Sequence, residues 1–384
     1  MSNLTTTSRK LCKRLLLLAC CAAAAVNAQV LPEDRADALY HSYDGGGIEI
    51  TGPSILVRKK LTQDFSAYAN YYVDSISSAS IDVLSYASPY DEDRTEVSLG
   101  GDYLLDETIL SAGYTDSDEN DFQAKTAWFG VSQDIFGGLT TISLGYARGW
   151  DTVEQVTDPS FSEDVDRRSY RVGIGQVLTK NLVVNLDFEA ITDEGFLNNP
   201  YRQVRYLDAS SPDGYLWQPE VYPNTRTSNA LSIGTRYFVR TGSAVYGNAR
   251  VFNDTWGIDA WDTQLGYVYS TPQDWLFDVS FRYYSQTAAD FYSDLFAFAN
   301  AQNFLARDKE LSTFTDYSVR FSATYALPVA DWGFVERGSA SFVYDYFYFD
   351  YDDFRNVLDG GAPGTEPLYN FSADVIQLYV SFWF

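Results

Sequence analysis

Charged side chains recur at every second position along several segments of this sequence, an arrangement that could bind or select solutes. In residues 275–290, Phe277 and Phe281 take one parity, and Asp278 and Arg282 take the other. Because the side chains of a β-strand alternate between its two faces, such a segment has one apolar and one charged face. On this basis the candidate binding residues are Arg58, Arg171, Arg236, Arg250, Arg282, Arg320, Asp187, Glu189, Asp278 and Asp316, accompanied by Arg337, Asp74, Asp102, Asp262 and Asp345.

Two interpretations of these charges remain open. In the first, the charges line a water-filled channel and select solutes, as rings of charged side chains do in pores. In the second, they form layers of ion pairs that fill the interior of a barrel and make it rigid. A ring of about sixteen strands is wide enough to hold water, although inward aromatic residues such as Tyr68, Tyr72 and Phe347 would narrow it.

The longest predicted connection, Asp193–Thr227, also carries candidate binding residues. Arg202 and Arg205 lie close to Tyr206 and Trp217 in the sequence. Cations and aromatic faces together bind anionic or aromatic solutes, so this loop could fold into the mouth of a barrel and take part in recognition. An ordinary surface loop is the alternative interpretation, and the sequence favours neither.

Metal, haem and thiol chemistry have few residues to use in this chain. The three cysteines all lie within the first 21 residues, and His41 is the only histidine. No partner for His41 is marked by the sequence, so we predict neither an enzyme nor a cofactor. Asp116–Asp121 begins like a calcium loop but lacks the glycine and the final glutamate of an EF-hand. We interpret it as part of an acidic outer rim, where divalent cations would bridge to lipopolysaccharide.

Sixteen alternating segments would position these residues, and their connections alternate in length. Short ones such as Thr179–Asn181 and Thr241–Gly242 alternate with long ones such as Ser77–Arg94 and Phe291–Lys309. Short turns at one end and longer loops at the other are typical of outer-membrane barrels, whereas a soluble β-sandwich does not explain them. We therefore predict an all-β fold, a transmembrane antiparallel up-and-down β-barrel of about sixteen strands, with both chain ends on the periplasmic side.

The last segment, Ile376–Phe384, is apolar at every second position and ends on Phe384. In a soluble protein an apolar edge strand of this kind invites aggregation. The segment resembles the C-terminal insertion signal of bacterial outer-membrane barrels, which the barrel-assembly machinery reads. The resemblance implies that this machinery is a partner of the chain, through Phe384, and that outer-membrane lipid surrounds the barrel.

The first 28 residues resemble a secretory signal peptide, with a basic start, the apolar run Leu15–Ala25 and small residues before Gln29. We therefore divide the chain into a signal peptide at 1–28 and an outer-membrane barrel domain at 29–384. No apolar run in that domain approaches the ~18 residues of a membrane-spanning helix. The chain has 27 basic and 52 acidic residues and a formal net charge of −25, which argues against nucleic acid as a partner.

The second predicted strand, within residues 47–60, changes parity along its length. Ile48 stands at an even position, whereas Ile55 stands at an odd one, and Gly52 and Pro53 lie between them. Proline cannot donate a hydrogen bond to a neighbouring strand, and glycine tolerates a bend. We therefore predict a β-bulge at this point.

Several stretches of the domain resemble an uncharacterised family of Gram-negative outer-membrane proteins, known only as a domain of unknown function. They include HSYDGGG at His41–Gly47, GPSILVRKK at Gly52–Lys60, NYYVDSISSASIDV at Asn70–Val83 and FGGLTTISLGYARGWD at Phe136–Asp151. The resemblance implies a porin-like outer-membrane barrel and brings no established activity. Members of such families often have as neighbours a small lipoprotein, a thioredoxin-like protein and a flavin transferase, which implies a periplasmic lipoprotein as a partner.

These observations favour a transport function. We expect an outer-membrane pore or solute-specific channel, in which the charged lumen and the loop Asp193–Thr227 set the selectivity. The alternative is a closed-lumen barrel that serves as a scaffold for periplasmic or surface partners in envelope redox or assembly.

Overall fold

The computed structural model describes residues 29–86, 90–329 and 332–384, and its main feature is a closed antiparallel barrel. The described residues contain eighteen strands, and sixteen of them form the barrel. The predicted signal peptide at 1–28 lies outside the described residues. The barrel strands are β1 (Arg35–Gly45), β2 (Ile48–Lys60), β3 (Phe65–Ser78), β4 (Tyr90–Leu105), β5 (Thr108–Asp118), β6 (Phe122–Ile135), β7 (Thr140–Glu154), β8 (Ser162–Thr179), β9 (Leu182–Gly195), β12 (Thr225–Arg240), β13 (Ser243–Asp254), β14 (Asp259–Ser270), β15 (Trp275–Gln286), β16 (Phe314–Leu327), β17 (Arg337–Arg355) and β18 (Leu368–Trp383).

The remaining elements lie in the connections between barrel strands. A hairpin of β10 (Gln203–Leu207) and β11 (Tyr215–Pro219) lies between β9 and β12, and α1 (Ile81–Tyr86) follows β3. Each barrel strand pairs with its neighbour in the chain, β9 pairs with β12, and β1 closes the ring against β18. The predicted antiparallel barrel of sixteen strands is therefore confirmed. Among the described residues, no helix is long and apolar enough to cross a bilayer.

The barrel carries apolar side chains on its outer face and polar ones on its inner face. On β13 and β14, Val251 and Leu265 are 56% and 64% exposed. The adjacent Arg250 and Gln264 have the opposite parity and point into the interior. A soluble protein buries its apolar residues, whereas a barrel in lipid presents them outwards. The strand register therefore gives the faces that a membrane barrel requires.

The two ends of the barrel differ, as the sequence predicted. The end that holds Leu61–Asp64 has tight connections, such as the one between β4 and β5, where Asp106 adopts a φ of 54°. The chain ends meet there, because the amide of Phe384 donates to the carbonyl of Asp34 (3.3 Å). The other end carries the long connections, although Gly46 and Gly47 form a tight turn there with φ values of 60° and 79°. Positive φ at both central residues is the signature of a type I′ hairpin turn, which glycine readily forms.

The β-bulge predicted at Gly52 and Pro53 is wrong. β2 keeps one register against β1 along its whole length, including the pair His41–Gly52. Its pairing with β3 is interrupted at the two residues and resumes with no residue inserted. Ile48 lies half-buried on the inner face, with the parity opposite to that of the exposed Ile55. The change of parity therefore results from apolar side chains on both faces of β2, and not from a shift of the strand register.

The interior at the long-loop end is apolar because three connections pack together there. We call them the loop cap, and they comprise residues 196–224, 287–313 and 356–367. One buried cluster joins Val204 of the first connection to Phe296 and Leu305 of the second. A larger cluster includes Trp256, Ile258, Ala289, Phe291, Ala306 and Leu311. Connections that could have been independent loops therefore form one packed body over the mouth of the barrel.

Candidate functional site

Ion pairs on the inner face of the barrel join neighbouring strands. Arg171 on β8 lies directly opposite Glu189 on β9, and its Nε donates to the carboxylate (2.6 Å). Arg320 on β16 lies opposite Asp345 on β17 in the same way, at 2.7 Å. Because residues directly opposite on antiparallel strands have their side chains on the same face, β-pairing itself brings these charges together.

Two further arginines form ion pairs with acidic residues that do not lie directly opposite them in the strand register. Arg282 on β15 donates to Asp316 on β16 (3.0 Å) and lies 3.6 Å from Asp262 on β14. Arg58 on β2 passes over β3 and forms an ion pair with Asp102 on β4. Each of these pairs follows the wall and none crosses the lumen.

Pairing along the wall leaves the charges in contact with water. The side chain of Arg171 is 70% exposed and that of Arg320 is 47% exposed, although both lie on the inner face. A lumen filled by layers of ion pairs would bury such groups. The side chains of Arg171 and Arg320 are therefore accessible to solvent.

Aromatic side chains lie next to two of the other predicted wall residues. Arg236 lies 5.7 Å from the ring centre of Tyr246, whose hydroxyl donates to Asp278 (2.9 Å). Arg250 lies 5.9 Å from the ring centre of Phe252 and has no ion pair in the part of the chain that the structure describes. Asp187 is exposed on β9. In the strand register Arg250 lies directly opposite Asp262, with which it forms no ion pair in the structure.

The predicted loop residue Arg205 is fully buried in the loop cap. Its guanidinium donates to the carbonyl of Asp294 (2.9 Å) and to the carboxylate of Glu366 (3.1 Å), and it forms an ion pair with the carboxylate of Asp294. These three residues belong to the three different connections. Arg205 therefore holds the cap together in this conformation, and no surface of it is open to a solute.

A second buried arginine extends this network. Arg307 lies 3.0 Å from the same Asp294 carboxylate, donates to the carbonyl of Arg355 (2.9 Å) and lies 4.4 Å from the ring centre of Phe354. A buried carboxylate is costly unless it is paired and hydrogen bonded. The two arginines neutralise Asp294, and Arg205 also pairs with Glu366, so the cluster links all three connections.

Glu220 lies in the same cap in an unusual environment. Its carboxylate accepts hydrogen bonds from the amide of Arg307 and the hydroxyl of Tyr222, both at 2.6 Å. Burial, and then the nearby negative charge of Asp308, raise the pKa of Glu220 to about 7, against the partial opposition of Arg202. Arg202 itself forms an ion pair with Asp308. One residue of the cap is thus poised to change charge near neutral pH.

The cap network was not predicted from the sequence. Asp294, Arg307 and Glu366 lie outside the alternating segments, so strand periodicity could not select them. One signal was available, because residues 291–307 are too rich in apolar side chains for a solvated loop. That composition indicates a connection that packs against something.

The only histidine also has a partner that the sequence did not mark. His41 Nε2 lies 2.6 Å from a carboxylate oxygen of Asp74, and the ring stacks on Tyr72 at 5.0 Å. Arg94 forms an ion pair with the same Asp74. All four side chains belong to barrel strands, and His41 is only 8% exposed. The arrangement neutralises buried charges, and the prediction that the chain is not an enzyme stays a prediction.

Three carboxylates at the long-loop end could hold a divalent cation. Oxygens of Glu92, Glu119 and Asp121 lie within 4.8 Å of one another. Hard cations prefer carboxylate oxygens, so this group fits the acidic rim that the sequence predicted.

A cavity of about 390 Å³ lies between the loop cap and the wall, a size at the lower end of small-molecule sites. It holds the exposed cation Arg250 and the loop residue Glu310. The side chains that matter for its chemistry are Arg167, Asp193, Leu197, Tyr222, Arg226, Arg250, Phe252, Trp256, Asp262, Tyr284, Gln286, Asp308, Glu310 and Leu311. Of the predicted wall residues, Arg250 and Asp262 reach this cavity.

Comparison with known proteins identifies the family. The family model described as "Protein of unknown function (DUF3570)" matches residues 81–331, well over half of the chain. The chain therefore belongs to this family, and the resemblance stated from the sequence is confirmed. No curated protein matches the chain significantly.

Solved structures of outer-membrane proteins are similar in fold at low identity. A bacterial polysaccharide outer membrane secretin is 8% identical with a TM-score of 0.49, covering 92% of this chain and 99% of its own. Pseudomonas aeruginosa OccK2 (OpdF), solved in complex with glucuronate, is 9% identical with a TM-score of 0.43 and coverages of 92% and 100%. The CymD monoaromatic hydrocarbon channel is 9% identical with a TM-score of 0.43 and coverages of 93% and 90%.

Proposed function

We propose that this protein is an outer-membrane pore or solute-specific channel with a charged lumen and a loop cap over its outer mouth. The observation that carries the proposal is the exposure of Arg171, which remains 70% accessible on the inner face while paired with Glu189 along the wall. Charges that face water inside a closed barrel set the potential that a passing ion or polar solute meets.

Within this proposal the predicted site residues divide into two groups. Wall residues, including Arg58, Arg282 and Arg320, line the route and set its selectivity. Loop residues, including Arg202 and Arg205, hold the cap closed, because their guanidinium groups bind carboxylates of other connections. Passage of a solute larger than water then requires the cap to loosen.

The experiment is a conductance measurement on the purified full-length protein. Folded barrel extracted from outer membranes in detergent is added to a planar lipid bilayer, and current steps are recorded in KCl. We expect discrete steps from the folded protein and none from a boiled aliquot. A folded protein that inserts without producing current would refute the pore.

The second candidate function, a closed-lumen scaffold, is favoured by the buried network at Asp294, which seals the three connections of the cap. The two functions differ in what happens when the cap is loosened. A pore increases its current when the cap opens, whereas a scaffold stays silent both in the native protein and in cap variants.

Location and partners are part of the same proposal. We place the barrel in the Gram-negative outer membrane, with lipopolysaccharide bridged by cations at the acidic rim and a periplasmic lipoprotein as a further partner. Phe384 would be read by the barrel-assembly machinery. The position of Phe384 supports this role. It follows β18, which pairs with β1 to close the barrel, and Lys59 lies 4.8 Å from the ring centre of Phe384. Membrane fractionation with and without outer-membrane enrichment tests the location.

A further inference from the structure

The cavity beneath the loop cap has an apolar side. Leu197 and Tyr222 from the cap, Leu311 from the next connection, and Phe252 and Trp256 from the wall contribute to it. The rings of Tyr222 and Trp256 meet edge to face, with centroids 5.4 Å apart. This side suits the flat or branched apolar body of a small molecule.

Most of the charged residues that line the cavity already form ion pairs with other residues of the protein. Arg226 donates to Asp254 (2.8 Å), and Arg167 lies 2.9 Å from Asp151. Asp193 lies between these two arginines in the strand register, opposite Arg167 on one side and Arg226 on the other. The two arginines are therefore paired, whereas Asp193, which lies opposite both of them, has a buried Oδ1 without a hydrogen-bond partner.

Two other carboxylates of the cavity are also paired. Asp262 lies 3.6 Å from Arg282, and Asp308 forms an ion pair with Arg202. Both belong to ion pairs that the barrel wall or the loop cap already contains. They too are poor candidates for ligand contacts.

The two remaining charged residues of the cavity, Arg250 and Glu310, have opposite signs. Arg250 has no ion pair among the described residues. The side chain of Glu310 is 71% exposed, and its carboxylate lies at the long distance of 3.9 Å from Lys309 Nζ. A cavity that offers both a guanidinium group and an exposed carboxylate favours a solute that carries both charges.

The acidic group is held on the cap side and the basic group on the wall side. The amide of Gln286 donates to the carbonyls of Glu310 (2.9 Å) and Ser312 (2.8 Å), which ties this segment to the end of β15. The backbone amide of Glu310 also donates to Asp308 (2.9 Å). Arg250 lies on β13. Both positions are set by the fold before any ligand arrives.

We propose that this cavity binds a small zwitterion with an apolar or aromatic body, in the chemical class of an aromatic amino acid. The ligand carboxylate contacts Arg250, the ammonium group contacts Glu310, and the ring lies against Tyr222 and Trp256. A guanidinium group recognises a carboxylate well because it offers parallel donors. A ligand of a single charge would leave one of the two protein charges without a partner. The inference rests on the proposed channel, because the lumen supplies the route to the cavity.

Calorimetric titration of the folded full-length protein in detergent tests the ligand class. The probes are L-phenylalanine, the anion N-acetyl-L-phenylalanine and the cation L-phenylalaninamide, which share one ring and differ in charge. We expect L-phenylalanine to bind at least about 10-fold more tightly than either derivative, since each derivative loses one charge-assisted contact. Equal affinities, or no binding of L-phenylalanine, would overturn the proposal.

Two variants separate the contributions of the two charges. Arg250→Gln should remove the preference for L-phenylalanine over the amide, and Glu310→Gln should remove its preference over the acetylated anion. Arg250→Lys should keep part of the first preference, because the charge remains while the parallel donors are lost. The matched controls are Lys180→Gln and Glu107→Gln, which lie exposed in short turns at the other end and should bind as the native protein does.

Failure of this site and failure of the channel give different results. If the protein conducts current in a bilayer but calorimetry shows no binding of L-phenylalanine, the binding site is refuted and the channel is not. If L-phenylalanine binds but the protein conducts no current, the channel is refuted and the binding site is not. Heat-modifiable mobility on gels checks that each variant is folded before it is titrated.

Discussion

His41 Nε2 lies 2.6 Å from a carboxylate oxygen of Asp74, although strand β2 runs between the two residues. The residue of β2 at this level is Gly52, which pairs with His41 on one side and faces β3 on the other. A Cβ atom at Gly52 would meet the backbone of Val73 and Asp74, so β3 could not approach β2 as closely as it does. The contact therefore depends on the absence of a side chain in the middle strand.

Gly52→Ala should destabilise the barrel. A Cβ atom at this position would lie 1.7 Å from the carbonyl oxygen of Val73, so the backbone would have to move. We expect the free energy of unfolding to fall by about 1–3 kcal/mol, as for other overpacked sites. The measurement is the urea midpoint of the detergent-folded protein, followed by tryptophan fluorescence. The matched control is Gly130→Ala, whose nearest atom would be 3.7 Å away; equal losses in both variants would contradict the argument.

The loop cap should loosen as pH rises from about 5 to about 8. The pKa of Glu220 is raised to about 7 in the closed cap and returns towards its ordinary value of 4.5 when the cap opens and water enters. Between those values the closed cap binds more protons than the open one, so its stability falls with rising pH. We expect the single-channel open probability to increase at least about fivefold over this range.

The matched variant for this pH effect is Glu220→Gln. It keeps a hydrogen-bond acceptor for the amide of Arg307 but cannot change charge. Its open probability should vary much less with pH than that of the native protein. A pH dependence that survives unchanged in the variant would show that another group is responsible.

Arg205→Ala should release the loop cap without unfolding the barrel. The variant leaves the buried carboxylates of Asp294 and Glu366 without this partner, a loss of about 3–5 kcal/mol for a broken buried pair. We expect faster cleavage of the cap by chymotrypsin added to intact cells, and a larger conductance. The control is Arg168→Ala, which removes a pair with Asp166 (3.0 Å) in an exposed position and should cost no more than about 1 kcal/mol. Identical cleavage rates in the two variants would rule out a structural role for Arg205 in the cap.

Arg171→Gln should make the channel more selective for cations. The substitution removes an exposed positive charge from the lumen and leaves Glu189 without its partner. In a KCl gradient the reversal potential should shift towards that of potassium, with the permeability ratio of potassium to chloride rising about twofold. Lys180→Gln, in a turn outside the lumen, is the control. An unchanged reversal potential would mean that ions do not pass this part of the wall.

Phe384→Ser should reduce the amount of folded barrel in the outer membrane several-fold while leaving refolding into detergent micelles intact. The reason is that assembly in the cell is expected to depend on recognition of the terminal strand, whereas refolding depends on the strand pairs between β1 and β18. Immunoblots of outer-membrane fractions and heat-modifiable mobility measure the two quantities. Equal amounts of native and variant protein in the membrane would contradict the role proposed for Phe384.

Strand periodicity predicted the barrel well because lipid and water act on opposite faces of each strand. The even residues of the last strand, such as Ile376 and Leu378, lie on the exposed outer face as expected. The same reasoning misled at Ile48, which lies half-buried on the inner face. An apolar residue at one parity therefore does not always mark the lipid-facing side of a strand.

The sequence by itself determined the ring: its strands, its alternation of short and long connections, and the inward position of residues such as Arg171. Each of these features depends on residues that are close together in the sequence or on an alternation with a period of two. Both kinds of pattern are visible in the sequence alone. The tertiary structure alone decided the loop cap and the cavity below it. Arg205 and Glu366 are 161 positions apart, and they meet only because closure of the barrel brings the ends of distant strands to one mouth.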